Sequence, residues 1–232
     1  MIEHVERTVS GKVFMNGNKK VKVYEALRRR IIDGELPPGL PINEADFARE
    51  LEVSKTPVRE ALRQLERDGF VENVPGRGST ISHITPQDIR EVFEIREIIE
   101  SSAAKRAALV FGGEGIRKKR EEITKLLENE QAGQEYVHEW GSWEDVHLCI
   151  VKALSNRTLV GIYSGLLDRI NRIRSHYGHQ FTPRRFHEIS AEHIAIVDAI
   201  IEGDAERAER MMQQHLRNAG AFLIGLTAPA KE

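Results

Sequence analysis

The stretch VSKTPVREALRQLERDG, residues 53–69, decides the fold of the first part of the chain. Pro57 stands in the first turn of a helix, where proline is tolerated because the nitrogen has no intrahelical acceptor. Four apolar residues then recur at helical spacing, and Gly69 supplies a natural stop. They are Val58, Ala61, Leu62 and Leu65. The stretch therefore predicts an amphipathic helix with a polar first turn that includes Ser54 and Thr56.

Two helical patterns precede this helix, and a hairpin pattern follows it. The first runs from residue 21 to a stop at Gly34, and the second begins at Asn43, a residue type that favours helix N-caps. Alternating residues and a turn within residues 70–82 are typical of two paired strands. Three helices followed by a hairpin, with a short turn between the second and third helices, predict a winged helix-turn-helix domain over residues 21–84.

The rest of the chain divides into an arm, a helical segment and a tail. Residues 1–20 have no clear period, and we expect a loose arm with a short strand near residues 12–15. From Thr85 onward the pattern stays helical, with breaks at Gly112-Gly113 and Gly115 and no internal repeat. The predicted helices are 86–111, 116–132, 136–154, 157–177, 184–202 and 204–224. The fold class is therefore mainly α: an N-terminal winged helix-turn-helix with a small β-hairpin, and a C-terminal all-helical bundle over residues 85–226, with a tail at 227–232.

Composition excludes several classes of protein. The 232 residues are 40% hydrophobic and 30% charged, which is typical of a globular protein. No run approaches the roughly 18 apolar residues of a membrane span, and the N-terminus has no signal-peptide pattern. The single cysteine, Cys149, excludes an internal disulfide and a zinc site built on several cysteines. We expect a cytoplasmic protein with no membrane partner. The net charge of −2 argues neither for nor against binding to nucleic acid.

The polar turn at the start of the third helix favours contact with DNA. A helix N-terminus offers free N–H groups to a phosphate, and Arg59 lies off the apolar stripe, so it projects outward. Arginine can make a two-pronged contact to the O6 and N7 atoms of guanine. Arg77, between two glycines at the hairpin tip, suits a wing that touches the minor groove or its phosphates. The alternative, that these charges only solvate a surface helix, accounts poorly for the whole arrangement.

Residues 21–83 resemble the GntR family of bacterial transcription regulators. The resemblance rests on DGELPPG at residues 33–39 and on VSKTPVREAL at residues 53–62. It implies binding to a double-stranded DNA operator. The positions that match DNA-contacting positions of the family are Ser54, Lys55, Thr56, Arg59 and Gly76. The chain departs from the family at Lys55, where arginine is usual, and at Ala45, where some members have an arginine that contacts DNA.

Three of the nine histidines lie on apolar helix faces. His147 shares a face with Ile150 and Val151, and His193 shares one with Ile196. His215 lies in phase with Met211 and Met212 in the last predicted helix. One such histidine is most often a core residue, but three on separate helices of one bundle also suit a shared divalent metal, Zn²⁺ or Ni²⁺. The spacing alone leaves both interpretations open.

Residues 86–226 are similar to the FCD domain, the helical effector domain of the FadR subgroup. The similarity rests on VFEIR at residues 92–96, on His147 with LSN at 154–156, and on the pattern from Glu192-His193 to His215-Leu216. It implies a metal held by His147, His193 and His215 together with an acidic residue. The matching acidic position is Trp143, and Glu144 is the nearest substitute. Either three histidines hold a metal with more open positions, or Trp143 fills the place of a lost metal.

Two arginines are candidates for binding an acidic effector. Arg96 lies in phase with Ile89, Val92 and Phe93, and a buried charge requires a partner. That partner is either Glu100, one turn on, or the carboxylate or phosphate of a ligand. Arg174 lies on an apolar face as well and has the same two interpretations.

These patterns together predict a ligand-responsive bacterial transcription regulator, a repressor rather than an enzyme. A homodimer would read an inverted-repeat operator, and a small carboxylate metabolite would bind at a metal-assisted site in the bundle. One alternative is a metal-free acyl-CoA sensor of the same family. The other is a three-histidine zinc hydrolase, for which Glu144 is the nearest general base, but it leaves residues 21–83 without a role.

Overall fold

The computed structural model describes residues 19–76, 78–110, 113–128 and 141–227, with only the backbone for residues 126–128 and 141–145. The predicted strand at residues 12–15 lies outside these ranges. The chain forms two compact units. One comprises the residues up to Arg30 together with Gly39–Ser82, and the other comprises Ile31–Pro38 and the chain from His83 onward.

The first unit contains the predicted helices and hairpin. Helix α1 covers Lys19–Ile32 and belongs to this unit as far as Arg30, α2 covers Glu44–Glu50 and α3 covers Lys55–Arg67. Strands β1, Val71–Val74, and β2, Gly78–Ile81, pair antiparallel. The four apolar residues of the α3 stripe, Val58, Ala61, Leu62 and Leu65, are all buried. This unit is therefore the winged helix-turn-helix that the sequence predicts.

A third piece of backbone extends the hairpin. Residue Pro41 forms a bridge to Thr80, and the nitrogen of Ile42 donates to the carbonyl of Ser79 at 2.8 Å. The nitrogen of Ile81 in turn donates to the carbonyl of Leu40 at 2.9 Å. These bonds tie the segment before α2 to the hairpin, so the small sheet fixes both ends of the helix-turn-helix.

Six longer helices form the second unit. Their bounds are Pro86–Leu109 for α4, Gly113–Glu128 for α5, Gly141–Ala153 for α6, Arg157–Tyr177 for α7, Pro183–Ile201 for α8 and Ala205–Leu226 for α9. A short 3-10 turn, Gly178–Gln180, follows α7. Helix α4 packs against α6, α7, α8 and α9, so it lies at the centre of the bundle. The mainly α fold class is thereby confirmed, and none of the described helices is long and apolar enough to cross a membrane.

Capping residues explain where several of these helices begin. The Thr85 hydroxyl accepts from the Asp88 nitrogen and the Asp88 carboxylate accepts from the Thr85 nitrogen, which makes a capping box before Pro86. The predicted break at Gly115 is wrong, because α5 begins at Gly113 and continues through it. A Cβ at Gly115 would lie 3.3 Å from Cys149 Sγ, so this glycine permits close packing of α5 against α6.

Candidate DNA-binding surface and metal centre

The first turn of α3 presents its polar side chains to solvent. The exposed residues are Ser54, Lys55, Thr56 and Arg59. Ser54 is the N-cap of α3, but its side chain makes no capping hydrogen bond, whereas the Asn43 side chain caps α2. The hydroxyl and the first N–H groups of α3 are therefore available to a phosphate.

The hairpin turn and the start of α2 frame this helix. Gly76 is exposed and has a φ of 77°, a left-handed conformation that favours glycine. Arg77 lies outside the described residues. The Nε atom of Arg59 donates to Glu44 Oε2 at 2.6 Å. Sequence reasoning missed this ion pair, because the two residues are fifteen positions apart and on different helices.

The three histidines on apolar faces meet inside the second unit. His147 comes from α6, His193 from α8 and His215 from α9, and their exposed fractions are 1%, 1% and 3%. The Nε2 atom of His193 lies 3.1 Å from His147 Nε2 and 3.2 Å from His215 Nε2. Nitrogens bound to one Zn²⁺ at about 2.0–2.1 Å are about 2.9–3.4 Å apart at octahedral to tetrahedral angles. The separations therefore fit a shared metal ion.

Carboxylates lie next to the outer nitrogens of two of these rings. His147 Nδ1 lies 2.6 Å from Glu100 Oε2, and His215 Nδ1 lies 2.7 Å from Glu192 Oε2. A neutral imidazole that donates from Nδ1 carries a lone pair on Nε2. The Nε2 lone pairs of His147 and His215 point into the same small volume as His193 Nε2. A single proton on one of these nitrogens cannot give all three a hydrogen-bond partner. Carboxylate, histidine and metal in this order are a recurrent arrangement in metalloproteins, so the residues present fit a divalent ion.

Electrostatics keep the three rings neutral. Burial lowers the pKa of His193 well below its usual range, and the neighbouring His215 and His147 lower it further. Burial also lowers the pKa of His215 well below its usual range. The pKa of His147 is lowered by burial too, although Glu100 opposes the shift. Only neutral imidazole binds metal ions, so these shifts favour a metal over a proton at the cluster.

A buried ionic network surrounds Glu100. Arg96 Nε donates to Glu100 Oε1 at 2.7 Å, and the Tyr163 hydroxyl donates to the same oxygen at 2.8 Å. Burial alone would raise the pKa of Glu100, but the charge of Arg96 and the side-chain contacts with Arg96 and His147 hold it well below its usual range. Glu100 is thus a fixed anion that orients His147. Of the two alternatives for Arg96, the structure shows the pair with Glu100.

A small cavity lies beside the histidine cluster. His193, His215 and three arginines, Arg96, Arg174 and Arg185, line it together with aromatic and aliphatic side chains that include Phe181 and Phe222. The volume open to the centres of water molecules is about 30 Å³, which is room for an ordered water or one small group. The cavity therefore joins two of the histidines to three cationic side chains.

Arg185 is the residue of this cavity that sequence reasoning missed. Its side chain is 10% exposed, and its NH1 atom lies 3.1 Å from Glu188 Oε2 and 3.8 Å from Glu192 Oε1. Among the described residues, its buried Nε and NH2 atoms have no hydrogen-bond partner. A run of two arginines at the start of α8 gives no signal in the sequence, because only the packing of α8 distinguishes buried Arg185 from exposed Arg184.

Two predicted candidates on α6 cannot be placed against the cluster. Helix α6 carries both Trp143 and Glu144, but their side chains lie outside the described residues. The histidine cluster is the one group of metal-ligating side chains with this convergence within the described part of the chain. Glu144 therefore stays a prediction.

Two family descriptions match the chain. Residues 19–81 match "Bacterial regulatory proteins, gntR family", and residues 91–218 match "FCD domain". An uncharacterized HTH-type transcriptional regulator of Agrobacterium vitis is 39% identical over 87 residues, which is 38% of this chain and 51% of that protein. The HTH-type transcriptional repressor RspR of Escherichia coli K12 is 25% identical over 200 residues, 84% of this chain and 85% of that protein.

Solved structures show the same architecture. A GntR transcriptional regulator from Rhodococcus sp. RHA1 aligns with a TM-score of 0.70 and 22% identity over 91% of this chain and 100% of that one. The Zn²⁺-bound FCD domain of TM0439 aligns with a TM-score of 0.52 and 26% identity. That alignment covers 62% of this chain and 96% of the FCD structure.

Proposed function

Because the chain belongs to the GntR family of bacterial transcription regulators and carries an FCD domain, we propose that it represses transcription in response to a small organic acid. Residues 21–84 bind the operator, and residues 85–226 bind the effector. The family consists of regulators and not of enzymes, so the zinc hydrolase alternative is dropped. Repression is also the function stated for RspR, the Escherichia coli relative. The protein acts in the cytoplasm.

The observation that carries the effector half of this proposal is the convergence of three neutral imidazoles beside a cavity lined by three arginines. His147, His193 and His215 would hold Zn²⁺ or Ni²⁺, which supplies a Lewis-acidic centre for a carboxylate. The Zn²⁺-bound FCD neighbour supports this assignment over the metal-free acyl-CoA sensor. The arginines give the acidic group a second set of contacts.

The three arginines contribute in different ways. Arg96 directs its Nε and NH2 atoms at Glu100, so it offers an effector fewer contacts than an unpaired arginine would. Arg174 is partly buried and lines the same space. Arg185 has two buried donors without acceptors in the described part of the chain, and unpaired buried donors are costly. An effector carboxylate would supply the missing acceptors, so we add Arg185 to the proposed effector-binding residues Arg96 and Arg174.

An Arg185→Gln substitution should abolish most of the response to carboxylates. The probe is acetate, added to full-length protein loaded with Zn²⁺ and followed by thermal melting. Hydrogen bonds to a charged group are worth about 1.5–3 kcal/mol, so we expect about tenfold weaker binding or more. Arg184→Gln is the matched control, because Arg184 is the exposed neighbour on α8 and pairs with the same Glu188. Equal losses in both variants would contradict a direct role for Arg185.

Selection of duplexes from a randomised pool tests the DNA-binding half. We expect the protein to enrich an inverted repeat with half-sites about one helical turn apart, because one winged helix reads only a half-site. The same samples should sediment as a dimer, since a two-fold operator requires a two-fold protein. A monomer at micromolar concentration, both free and on the selected duplex, would contradict this prediction.

A further inference from the structure

The Arg59–Glu44 ion pair has a geometry that bears on DNA recognition. Arg59 lies in the exposed part of α3, and Glu44 is the first residue of α2. The carboxylate accepts from the Nε atom of Arg59 at 2.6 Å, and the two side chains are 59% and 36% exposed. In the described part of the chain, NH1 and NH2 of Arg59 have no hydrogen-bond acceptor. The guanidinium is therefore held from its inner side and open at its outer end.

An arginine held in this way is prepared for a two-pronged contact. A free arginine side chain loses about 2 kcal/mol of rotamer entropy when it is fixed in one orientation. The carboxylate at Nε fixes the plane of the guanidinium before DNA arrives, so part of that entropy is lost in advance. NH1 and NH2 remain as a fork, and such a fork matches O6 and N7 of guanine.

The same carboxylate also carries a cost for binding to any DNA. Glu44 places a negative charge close to the surface that approaches the phosphates, and this charge repels them. If the residue at position 44 affected only the affinity for DNA of any sequence, a neutral residue there would allow tighter binding than Glu44 does. Glu44 thus trades affinity for any sequence against discrimination between sequences, as specific interfaces often do.

We propose that Glu44 is a positioning residue that orients Arg59 toward a guanine and thereby sets base preference at that position. This inference rests on the proposed function as a DNA-binding regulator. Glu44 does not touch the base; it acts through Arg59. Its removal should therefore tighten binding to random DNA while it weakens the preference for guanine.

The experiment compares Glu44→Ala with Asp46→Ala. Asp46 lies in the same first turn of α2 and pairs with Arg49 at 3.0 Å, so its removal deletes the same charge without touching Arg59. The probes are the duplex selected by the wild-type protein, the same duplex with the guanine read by Arg59 replaced, and a random duplex. This guanine is identified as the base position at which the Arg59→Ala variant loses the preference for guanine. Affinities are measured over a series of salt concentrations.

We expect both alanine variants to bind random duplex a few-fold more tightly. Only Glu44→Ala should lose guanine preference, by about three- to fivefold, the upper range for an exposed ion pair. Glu44→Gln keeps a neutral acceptor and should fall between it and the wild type. In the double variant Glu44→Ala with Arg59→Ala, the guanine preference should equal that of Arg59→Ala alone, because Glu44 acts through Arg59.

Equal guanine preference in Glu44→Ala and Asp46→Ala would overturn the inference and leave only a general charge effect. Additive losses in the double variant would overturn it as well. Both results leave DNA binding by the wild-type protein intact. A wild-type protein that enriches no duplex from the pool would instead overturn the proposed function, and the inference with it.

Discussion

Removal of the proposed metal from purified protein should lower the melting temperature of the helical FCD domain by about 5–15 °C. An ion at 100 to 1,000 times its dissociation constant stabilises the folded state by about 2.7–4.1 kcal/mol. In a protein of 150–250 residues, each kcal/mol shifts the melting temperature by about 2–4 °C. The protein must be purified without a metal-affinity tag, analysed for metal content, and melted with and without a chelator.

His193→Ala should lower the melting temperature similarly and abolish the effect of the chelator. His193 is the central ring of the cluster, within 3.2 Å of both other Nε2 atoms, so the site cannot form without it. His187→Ala is the matched control, because His187 is an exposed histidine on the same helix α8. It should retain both the metal and the chelator effect.

Glu192→Gln gives a second route to the same question if His193→Ala does not fold. It leaves all three ligands in place and removes only the carboxylate beside His215 Nδ1. Loss of such an outer partner weakens metal binding by about 10- to 100-fold. If the tag-free protein contains no metal, and added Zn²⁺ or Ni²⁺ leaves the melting curve unchanged, the cluster is a histidine-lined core and the metal proposal is wrong.

Arg59→Ala will remove sequence-specific DNA binding and leave the fold intact. Arg59 is exposed and its only ion pair among the described residues is with Glu44, so its loss should not disturb the core of the first unit. We expect a loss of about 1–3 kcal/mol per recognition helix and relaxed preference at one base position. Circular dichroism checks the fold, and titration of selected and random duplexes measures the preference.

Lys55→Ala should behave differently from Arg59→Ala. A lysine in the first turn of α3 contacts phosphate as a point charge, so its loss weakens binding to all sequences and reduces the salt slope by about 1. Arg67→Ala serves as a control, because Arg67 is an exposed arginine in the last turn of the same helix. If Lys55→Ala and Arg59→Ala weaken selected and random duplexes equally, the assignment of Arg59 to base readout fails.

Local sequence signals were sufficient for most of the fold. Thr85 and Asn43 indicate helix starts because their side chains can cap a helix, and both caps lie where the sequence predicts them. The helical phase of His147, His193 and His215 predicted that each ring points inward, and all three are buried. These features depend on residues a few positions apart, which is the range that periodicity can read.

The features that sequence reasoning missed depend on contacts between distant segments. Glu100 was considered only as a partner of Arg96, yet it also holds His147, 47 positions away on α6. Glu192 precedes His193 in the chain but contacts His215 on α9. Gly115 was predicted to break a helix because glycine often ends helices. In the structure this glycine instead lets Cys149 approach α5 closely. Helix packing determines each of these contacts, and a single sequence does not show it.

The depth of the histidine cluster has a consequence for the timescale of regulation. Because these side chains are 1% to 3% exposed, the described residues leave an ion the cavity, or a separation of α6, α8 and α9, as a way out. Exchange of such an ion should be slow compared with entry and exit of a small acid through the cavity, because the ion must also leave three nitrogen ligands. A metal bound there would then exchange slowly, and short fluctuations in metal supply would have little effect on its occupancy.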